Sequence, residues 1–336
     1  MSLNTSPLLL QVDQLHTHFR LPKPGLSPFA ERPLLRAVNG VSFDIKAGEV
    51  LALVGESGCG KSTIGRTLTQ LEPATAGAAR FNGVEILQLD RSAFKPFRRA
   101  IQMVFQDPFA SLNPRMTIGQ ILAEPLIVHN LTSSHIERQR QVADILQQVG
   151  LDPKVAAKYP HEFSGGQRQR IGIARVMILQ PDLVIADEPV SALDVSVQAQ
   201  VLNLLRELQQ KTGFSMLFIS HDMGVVRHIA DRVAVMYLGK IVETGDTETL
   251  FNEPHHPYTQ LLLNSIPRVH NQNQTMAEVI QAEPLSPMQE HAGCSFENRC
   301  PHRVAYCMST PPLLHGVGGS HQSRCHLAQQ LAQEVH

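Results

Sequence analysis

A glycine-rich stretch between an apolar run and a helical pattern constrains this chain more than any other feature. Val50–Val54 is apolar throughout, as in a buried strand, and Thr63–Leu68 has the character of a helix. Between them lie Gly55, Glu56, Ser57, Gly58, Cys59, Gly60, Lys61, Ser62 and Thr63. Glycines let backbone N–H groups converge on phosphate oxygens, and a helix N-terminus adds its positive dipole. The order strand, loop, helix therefore predicts a phosphate-binding P-loop rather than a chance glycine-rich turn.

Two side chains of this loop have a predicted chemistry. In the pattern Gly-x4-Gly-Lys-Ser, the lysine reaches the β- and γ-phosphates of a nucleotide and the next hydroxyl ligates Mg²⁺. Lys61 and Ser62 occupy these positions. We therefore expect phosphates and Mg²⁺ as ligands.

Length and charge limit the class of protein. A chain of 336 residues suits one large domain with a smaller addition. Its formal net charge of −1 argues against a general surface for nucleic acid or anionic membrane. The longest apolar runs, such as Ser215–Ile219, are far shorter than the ~20 residues of a spanning helix, and no secretory signal is visible. We expect a cytosolic chain that meets the membrane only through partners.

The apolar pattern predicts a mixed α/β chain. Residues 8–19 and 34–48 alternate apolar and polar positions, as antiparallel strands do, and Phe19 ends the first of them. From about residue 107 to 180 the character changes to helices, predicted over Ile118–Leu126, Ser133–Val149 and Arg168–Leu179. We expect a P-loop NTPase core of the α/β class with an antiparallel β subdomain and an inserted α-helical subdomain.

Two later apolar runs end in polar side chains. Leu183–Ala186 leads into Asp187 and Glu188, and Ser215–Ile219 is closely followed by His221. A strand that is apolar throughout belongs inside a parallel sheet, and an open α/β sheet places its ligand at the carboxyl ends of the strands. Asp187 therefore suits Mg²⁺, and Glu188 suits the orientation or activation of an attacking water. His221 is expected at the same edge of the sheet.

A second glycine pair opens a helix without a strand before it. Ser164, Gly165, Gly166 and Gln167 stand at this position, and Ser164 suits the N-cap. Read alone, the segment is only a helix start. Two glycines at a helix N-terminus also make a second place where N–H groups can face an anion.

In this order the motifs resemble those of the ATP-binding subunits of ABC transporters. The matching segments are the Walker A loop at 55–62, the Q-loop at Gln106, the signature at 164–167, the Walker B strand at 183–187 with Glu188, the D-loop at 191–194 and the switch histidine, His221. Together they cover residues 8–245. Both carboxylates, the histidine and the signature are intact, so the resemblance implies a subunit that hydrolyses ATP.

The resemblance also implies a role for each matching position. In this family two nucleotide-binding domains face head to tail, and each ATP lies between the P-loop of one and the signature of the other. Gln106 and the helical block after it would sense the permease. The remaining implied roles are adenine stacking by Phe19, phosphate binding by Lys61, Mg²⁺ binding by Ser62, Gln106 and Asp187, catalytic base at Glu188, γ-phosphate binding by His221, and nucleotide binding by the D-loop Asp194.

Several further segments resemble one branch of this family. Pro254–Gln260 and a cysteine-bearing tail resemble the oligopeptide, dipeptide and nickel importer ATPases, and Glu56–Cys59, Ser111–Pro114 and Ala186–Gln200 are similar to the second ATPase subunit of bacterial dipeptide permeases. The resemblance implies a peripheral protein at the cytoplasmic face of the inner membrane. Its implied partners are a second ATPase subunit, two permeases and an external binding protein. Dipeptide is the expected cargo, with oligopeptide, glutathione-like peptide and nickel as alternatives.

Four cysteines lie close together near the end of the sequence. Cys294, Cys300, Cys307 and Cys325 are separated by 5, 6 and 17 residues. In a reducing cytosol such a cluster is more readily a metal site than a disulfide framework. Four thiolates suit Zn²⁺ or a [4Fe–4S] cluster, although no Cys-x2-Cys pair is present. Similar tails in the resembling family carry an iron–sulfur cluster, which is the favoured interpretation over zinc or no metal.

The expected division of the chain follows from these motifs. We expect a nucleotide-binding domain over 1–267, a polar linker over 268–293 and a four-cysteine module over 294–336, ending in a short polar helix. The module's histidines could replace a cysteine as ligand, and these are His302, His321 and His326.

Two other functions fit parts of the sequence. Soluble ABC ATPases that act on DNA or ribosomes carry long coiled-coil insertions or two nucleotide-binding domains, and this sequence has neither feature. A regulatory subunit that binds ATP without hydrolysis is disfavoured by the intact Glu188 and His221.

Overall fold

The computed structural model describes residues 7–22, 32–107, 111–266, 285–289 and 291–328. Most of the predicted linker (268–284 and 290) and most of the helix predicted after Cys325 (its residues 329–336) lie outside these residues. None of the described helices is long and apolar enough to cross a membrane. In chain order the elements are β1 (Leu8–Arg20), β2 (Leu34–Lys46), β3 (Val50–Val54), α1 (Lys61–Leu68), β4 (Ala76–Phe81), β5 (Val84–Glu85), α2 (Phe97–Ala100), β6 (Ile101–Val104), α3 (Ile118–Val128), α4 (His135–Gln148), α5 (Gly165–Met177), β7 (Leu183–Asp187), α6 (Val195–Thr212), β8 (Ser215–Ser220), α7 (Met223–Ile229), β9 (Arg232–Tyr237), β10 (Lys240–Asp246), α8 (Thr247–Asn252), α9 (Pro257–Asn264), β11 (His315–Gly318) and β12 (His321–Ser323).

These elements fall into two compact units. The first consists of Met1–Leu10, Ile45–Val50 and Gln88–Ile219, and the second of Gln11–Asp44, Leu51–Leu87 and Ser220–His336. The three-part division predicted from the sequence stays a prediction.

The first unit contains parallel strands in the order β8-β7-β6. Ile101 pairs with Leu183 and Leu183 with Ser215, so the three strands run in register. Every residue of β7 and β8 is buried, as expected for apolar strands covered on both faces. The pairing of Asp187 with Ile219 aligns the carboxyl ends of β7 and β8.

The predicted helices of this unit are present, but two of them begin at other residues because of their caps. Helix α4 begins at His135 because Ser134, not Ser133, accepts the Glu137 N–H at 3.1 Å. Helix α5 begins at Gly165, before the predicted Arg168, because Ser164 and Gln167 form a capping box. The predicted N-cap at Ser164 is confirmed.

The second unit holds an antiparallel sheet and the strand that leads into the P-loop. The antiparallel sheet has the order β2-β1-β4-β5, and Phe81 of β4 pairs with Val84 of β5 in a hairpin. Strand β3 pairs in parallel with β9, which turns back into β10. Strand β10 also pairs with β12 of the cysteine module, and β12 pairs with β11. The three-residue β12 was not predicted, because it is too short to display an alternating pattern.

A buried carboxylate fastens the cysteine module to β10. Glu243 is fully buried. Its Oε1 accepts the His255 N–H at 2.6 Å and lies 2.8 Å from His321 Nε2, while its Oε2 accepts the His256 N–H at 3.1 Å. A buried carboxylate is stable only where hydrogen bonds replace its hydration, and these three groups do so. His321 therefore ties β12 to β10, which is not the ligand role considered from the sequence.

We predict that Glu243→Gln destabilises the protein. The amide group would place N–H atoms against a backbone N–H donor, and each broken buried hydrogen bond costs about 1–3 kcal/mol. The melting temperature should therefore fall, as measured by calorimetry. Glu253→Gln is the control, because Glu253 is exposed on the same stretch of chain. Equal melting temperatures for the two variants would contradict the role of Glu243.

Candidate active site

The P-loop is held in place by close backbone contacts within the second unit. A Cβ at Gly55 would lie 2.1 Å from the Met236 carbonyl oxygen, and one at Gly60 would lie 2.0 Å from that of Ala37. Gly60, with φ of +106°, is the N-cap of α1 and provides no side-chain cap. A helix N-terminus of this kind carries the positive end of the helix dipole, which favours an anion.

Lys61 lies buried across the loop. Its Nζ donates to the carbonyl oxygens of Gly55 at 2.8 Å and Glu56 at 2.9 Å. Cys59 packs beneath it, and burial raises the pKa of the Cys59 thiol, so this side chain stays neutral. The other loop positions are Ser57 and Gly58, which are exposed, and Ser62 and Thr63, which are half-buried at the start of α1.

Glu188 follows β7 in a strained backbone conformation. Its φ is +44°, in the left-handed region that non-glycine residues rarely adopt. Three hydrogen bonds hold it there, since its N–H donates to Ile219 and its carbonyl accepts both N–H and Oγ–H of Ser191. Gln106 donates from Nε2 to the Glu188 carboxylate at 3.1 Å. Asp187, directly before it, is buried at the end of β7. The structure therefore brings these three predicted residues together.

The signature segment and the D-loop also meet within the first unit. Ser164 and Gln167 are exposed, while Gly166 is buried. A Cβ at Gly166 would lie 2.3 Å from Val197 on α6. Asp194 is the N-cap of α6, and its hydrogen bonds from Ser196 and Val197 lower the pKa of its carboxyl group.

Two predicted residues lie in the second unit outside the loop. His221 is exposed between β8 and α7, where Asp222 caps α7 by accepting the Gly224 N–H at 2.8 Å. Phe19 is half-buried near the end of β1.

The four module cysteines line one small cavity of about 20 Å³. None of them forms a disulfide. His302 and His326 also line the cavity, whereas His321 does not. Burial raises the pKa of Cys294, that of Cys300 to about 11 and that of Cys325 to about 12. These thiols therefore keep their protons at neutral pH unless a metal replaces them.

The cavity offers the donor atoms of a metal site but, among the described residues, no arrangement of them around a metal ion. Within the part of the chain that the structure describes, no group of three or more His, Cys, Asp or Glu side chains is arranged to hold a metal ion. A [4Fe–4S] cluster takes one thiolate at each of four irons, so its ligands need not converge on one point. Four thiols line the cavity, and thiolates are ligands of both zinc and iron–sulfur clusters.

Sequence reasoning missed one contact of the P-loop. The Arg299 guanidinium donates to both carboxylate oxygens of Glu56, each at 2.9 Å, and the Tyr258 hydroxyl accepts the Glu56 N–H at 2.8 Å. Glu56 and Arg299 are 243 residues apart, and no local pattern joins residues at that separation.

Comparison with known proteins identifies the family. A model described as ABC transporter matches residues 38–191, and one described as oligopeptide/dipeptide transporter, C-terminal region, matches residues 242–307. The dipeptide transport ATP-binding protein DppF of Escherichia coli K12 is 50% identical over 311 residues, which are 93% of this chain and 92% of that protein. The chain belongs to the ATP-binding proteins of ABC transporters. The ABC family predicted from the motifs is thereby confirmed.

One more relative and two solved structures support the same family and fold. The oligopeptide transport ATP-binding protein AppF of Bacillus subtilis is 52% identical over 296 residues, 87% of this chain and 90% of that protein. Among solved structures, a dimeric post-hydrolysis cassette, MJ0796 with ADP and phosphate, has a TM-score of 0.63 at 26% identity and covers 71% of this chain and 99% of its own. CbiO1 of Clostridium perfringens has a TM-score of 0.62 at 27% identity, covering 74% and 92%. The predicted P-loop NTPase fold is confirmed.

We predict that Gly60→Ala abolishes tight nucleotide binding. The new methyl group would overlap a backbone oxygen, so the loop must move, and the affinity for ATP should fall at least ~10-fold because an ångström of misplacement is costly at such sites. Fluorescence titration with an ATP analogue measures this. Gly83→Ala is the matched control, because Gly83 has a φ of +79° but no atom within 4 Å of the added Cβ. Similar affinities in the two variants would contradict the steric argument.

Proposed function

We propose that this ABC protein hydrolyses ATP to drive the import of peptides through a membrane permease. The observation that carries the proposal is the carboxylate of Glu188, held after a buried strand by the Gln106 amide and by a fixed, strained backbone. A base in such a position can orient and deprotonate an attacking water without reorganisation. Strain of this kind persists where the surroundings over-determine it, commonly at functional sites.

Phosphoryl transfer needs the reacting groups to be positioned and their negative charge to be neutralised. The other predicted residues supply these two functions. The P-loop amides and Lys61 bind the phosphates, and His221 contacts the γ-phosphate. By the family resemblance, Ser62, Gln106 and Asp187 would hold Mg²⁺, which would supply positive charge to neutralise the phosphates. Phe19 stacks on the adenine ring.

The signature of this chain serves the ATP of a second ATPase subunit. Ser164 and Gln167 are exposed at the N-terminus of α5, where N–H groups favour an anion. Beside the D-loop Asp194, the apolar Val195 is 82% exposed, an arrangement that suits burial by a partner. A heterodimer with a second ATPase follows from the resemblance to dipeptide permeases.

Peptide is the proposed cargo because the relatives DppF and AppF are named for dipeptide and oligopeptide transport. The match of residues 242–307 to the C-terminal region of such transporters supports the same branch. The chain would then bind two permease subunits at the cytoplasmic face of the inner membrane, while an external binding protein selects the peptide.

The cysteine module is proposed to hold a [4Fe–4S] cluster. Cys294, Cys300, Cys307 and Cys325 would be its ligands, since they line one cavity and form no disulfide. When bound, the cluster would cross-link the module and make its assembly sensitive to redox conditions. Zinc in the same place is the alternative.

We predict that Glu188→Gln traps ATP and stops turnover. The amide keeps the shape of the side chain but takes no proton from water, so kcat should fall by about 10²-fold or more while ATP still binds. Purified protein is assayed for phosphate release and for retained ATP. A deletion strain carrying the variant is assayed for uptake of a labelled dipeptide, which should be lost.

Glu253→Gln is the control for this experiment, because Glu253 is an exposed glutamate. Phosphate release near the wild-type rate in Glu188→Gln would refute the assignment of the base. Loss of turnover with normal dipeptide uptake would refute the proposed cargo and leave the ATPase assignment intact.

We also predict that protein purified without oxygen contains iron and sulfide, about four of each per chain, with absorption near ~400 nm. Cys307→Ser should lose both elements, whereas Cys59→Ser should keep them because Cys59 lies in the P-loop. Elemental analysis and ultraviolet–visible spectroscopy measure the result. Zinc in place of iron would contradict the cluster, and the absence of both elements would contradict any metal in the module.

A further inference from the structure

The cysteine module contacts the P-loop through a partly buried ion pair, in which the Glu56 side chain is 34% exposed. Arg299 donates from Nη1 to Glu56 Oε2 and from Nη2 to Glu56 Oε1, both at 2.9 Å. The Arg299 side chain is only 10% exposed. A two-point contact between a guanidinium and a carboxylate fixes orientation as well as distance, and this geometry makes it one of the stronger charged hydrogen-bonded pairs.

Aromatic rings hold the arginine in this position. Its guanidinium carbon lies 5.8 Å from the centre of the Tyr237 ring and 5.6 Å from that of Phe296. Tyr258 packs against both rings, with centroid distances of 4.7 Å to Tyr237 and 5.5 Å to Phe296. The Tyr258 hydroxyl also accepts the Glu56 N–H. Glu56 therefore accepts hydrogen bonds from Arg299 at its carboxylate and donates one to Tyr258 from its backbone N–H.

The other end of this contact belongs to the cysteine module. Arg299 ends a 3₁₀ turn over Glu297–Arg299, and Cys300 follows directly. The turn is fixed at its start by the Glu297 N–H, which donates to Cys294 at 3.1 Å, and Cys294 in turn donates its N–H to Cys307. The position of Arg299 therefore depends on how the segments around the cysteines are folded.

On the nucleotide side, Glu56 belongs to the loop that surrounds Lys61. Its carbonyl oxygen accepts from Lys61 Nζ at 2.9 Å and from the Cys59 N–H at 3.4 Å. Movement of Glu56 would displace Lys61 and the loop amides together. No alternative anchor for the Glu56 carboxylate is present among the described contacts of the side chain, all of which lead to Arg299.

We propose that Arg299 is a positioning residue for ATP binding. Through Glu56 it holds the P-loop in the shape that binds phosphate, so the nucleotide affinity depends on the folded state of the cysteine module. The proposal rests on the proposed nucleotide site at Gly55–Thr63. It predicts a coupling between two parts of the chain that no motif connects.

The test compares ATP affinity in four variants: Arg299→Ala, Glu56→Gln, the double variant and Arg299→Lys. Arg299→Ala and Glu56→Gln each remove the ion pair between the two side chains. Each should raise the Kd for an ATP analogue by about 5- to 10-fold, in the range of typical coupling between sites. The double variant should bind no more weakly than either single variant, because both remove the same contact. Arg299→Lys should recover part of the affinity. In steady-state assays the change should appear in KM for ATP rather than in kcat.

Arg303→Ala is the matched control. Arg303 pairs with Glu297 at 3.1 Å within the same module, and its side chain is 51% exposed. Its removal takes one arginine and one ion pair from the module without touching the P-loop, so the Kd should stay at the wild-type value. Melting temperatures of all variants are measured beside the Kd. If Arg299→Ala does not fold, the near-isosteric Glu56→Gln carries the test alone.

A second arm perturbs the module itself. Cys300→Ser should raise the Kd in the wild-type background and have no further effect in the Arg299→Ala background. If Cys300→Ser raised the Kd equally in both backgrounds, the module would affect ATP binding without Arg299, and the proposal would be overturned. A lower melting temperature with an unchanged Kd in Arg299→Ala and Glu56→Gln would also overturn it, because the bridge would then only fasten the module. If the wild-type chain binds no ATP, it is the proposed nucleotide site that fails.

Discussion

The conformation of the P-loop depends on backbone contacts that leave no room for a side chain at Gly55 and Gly60. Gly55 lies against the carbonyl oxygen of Met236 on β9, and Gly60 against that of Ala37 on β2. Because both partners are backbone atoms, no rotation of a side chain could relieve a clash with an added Cβ. The loop between β3 and α1 is thereby held between two strands of the second unit. Glycine at these two positions is therefore required by packing, whatever the ligand of the loop.

Three glutamates show how neighbours decide the role of one residue type. Glu188 is held beside Gln106 in a strained conformation, which suits a base. Glu243 is fully buried and satisfied by two backbone N–H groups and His321, which suits a structural anchor. Glu56 is part of the P-loop, but its carboxylate is turned to Arg299. Hydrogen-bond partners and burial, rather than the carboxylate itself, separate these three cases.

Local pattern accounts for most of the elements around the site. The buried β7 and β8 and the helices α3 to α5 follow from apolar patterns and caps, both of which act between near neighbours. Helix α4 begins two residues after its predicted start at Ser133, because Ser134 is the residue that caps it. The motif positions of the site were predicted for the same reason, because each motif is a short run of chain. Their roles stay predictions.

Local sequence predicts the P-loop, the order of the family's motifs, the strands β3, β7 and β8 and the helices α3 to α5, because these depend on residues within a few positions of one another. The folded chain alone shows that β12 pairs with β10, that four cysteines line one cavity and that Arg299 contacts Glu56. Such contacts join segments far apart in the chain, and they form only after the whole unit has closed around them. The P-loop predicted from nine residues is therefore completed by an arginine 243 residues away from Glu56.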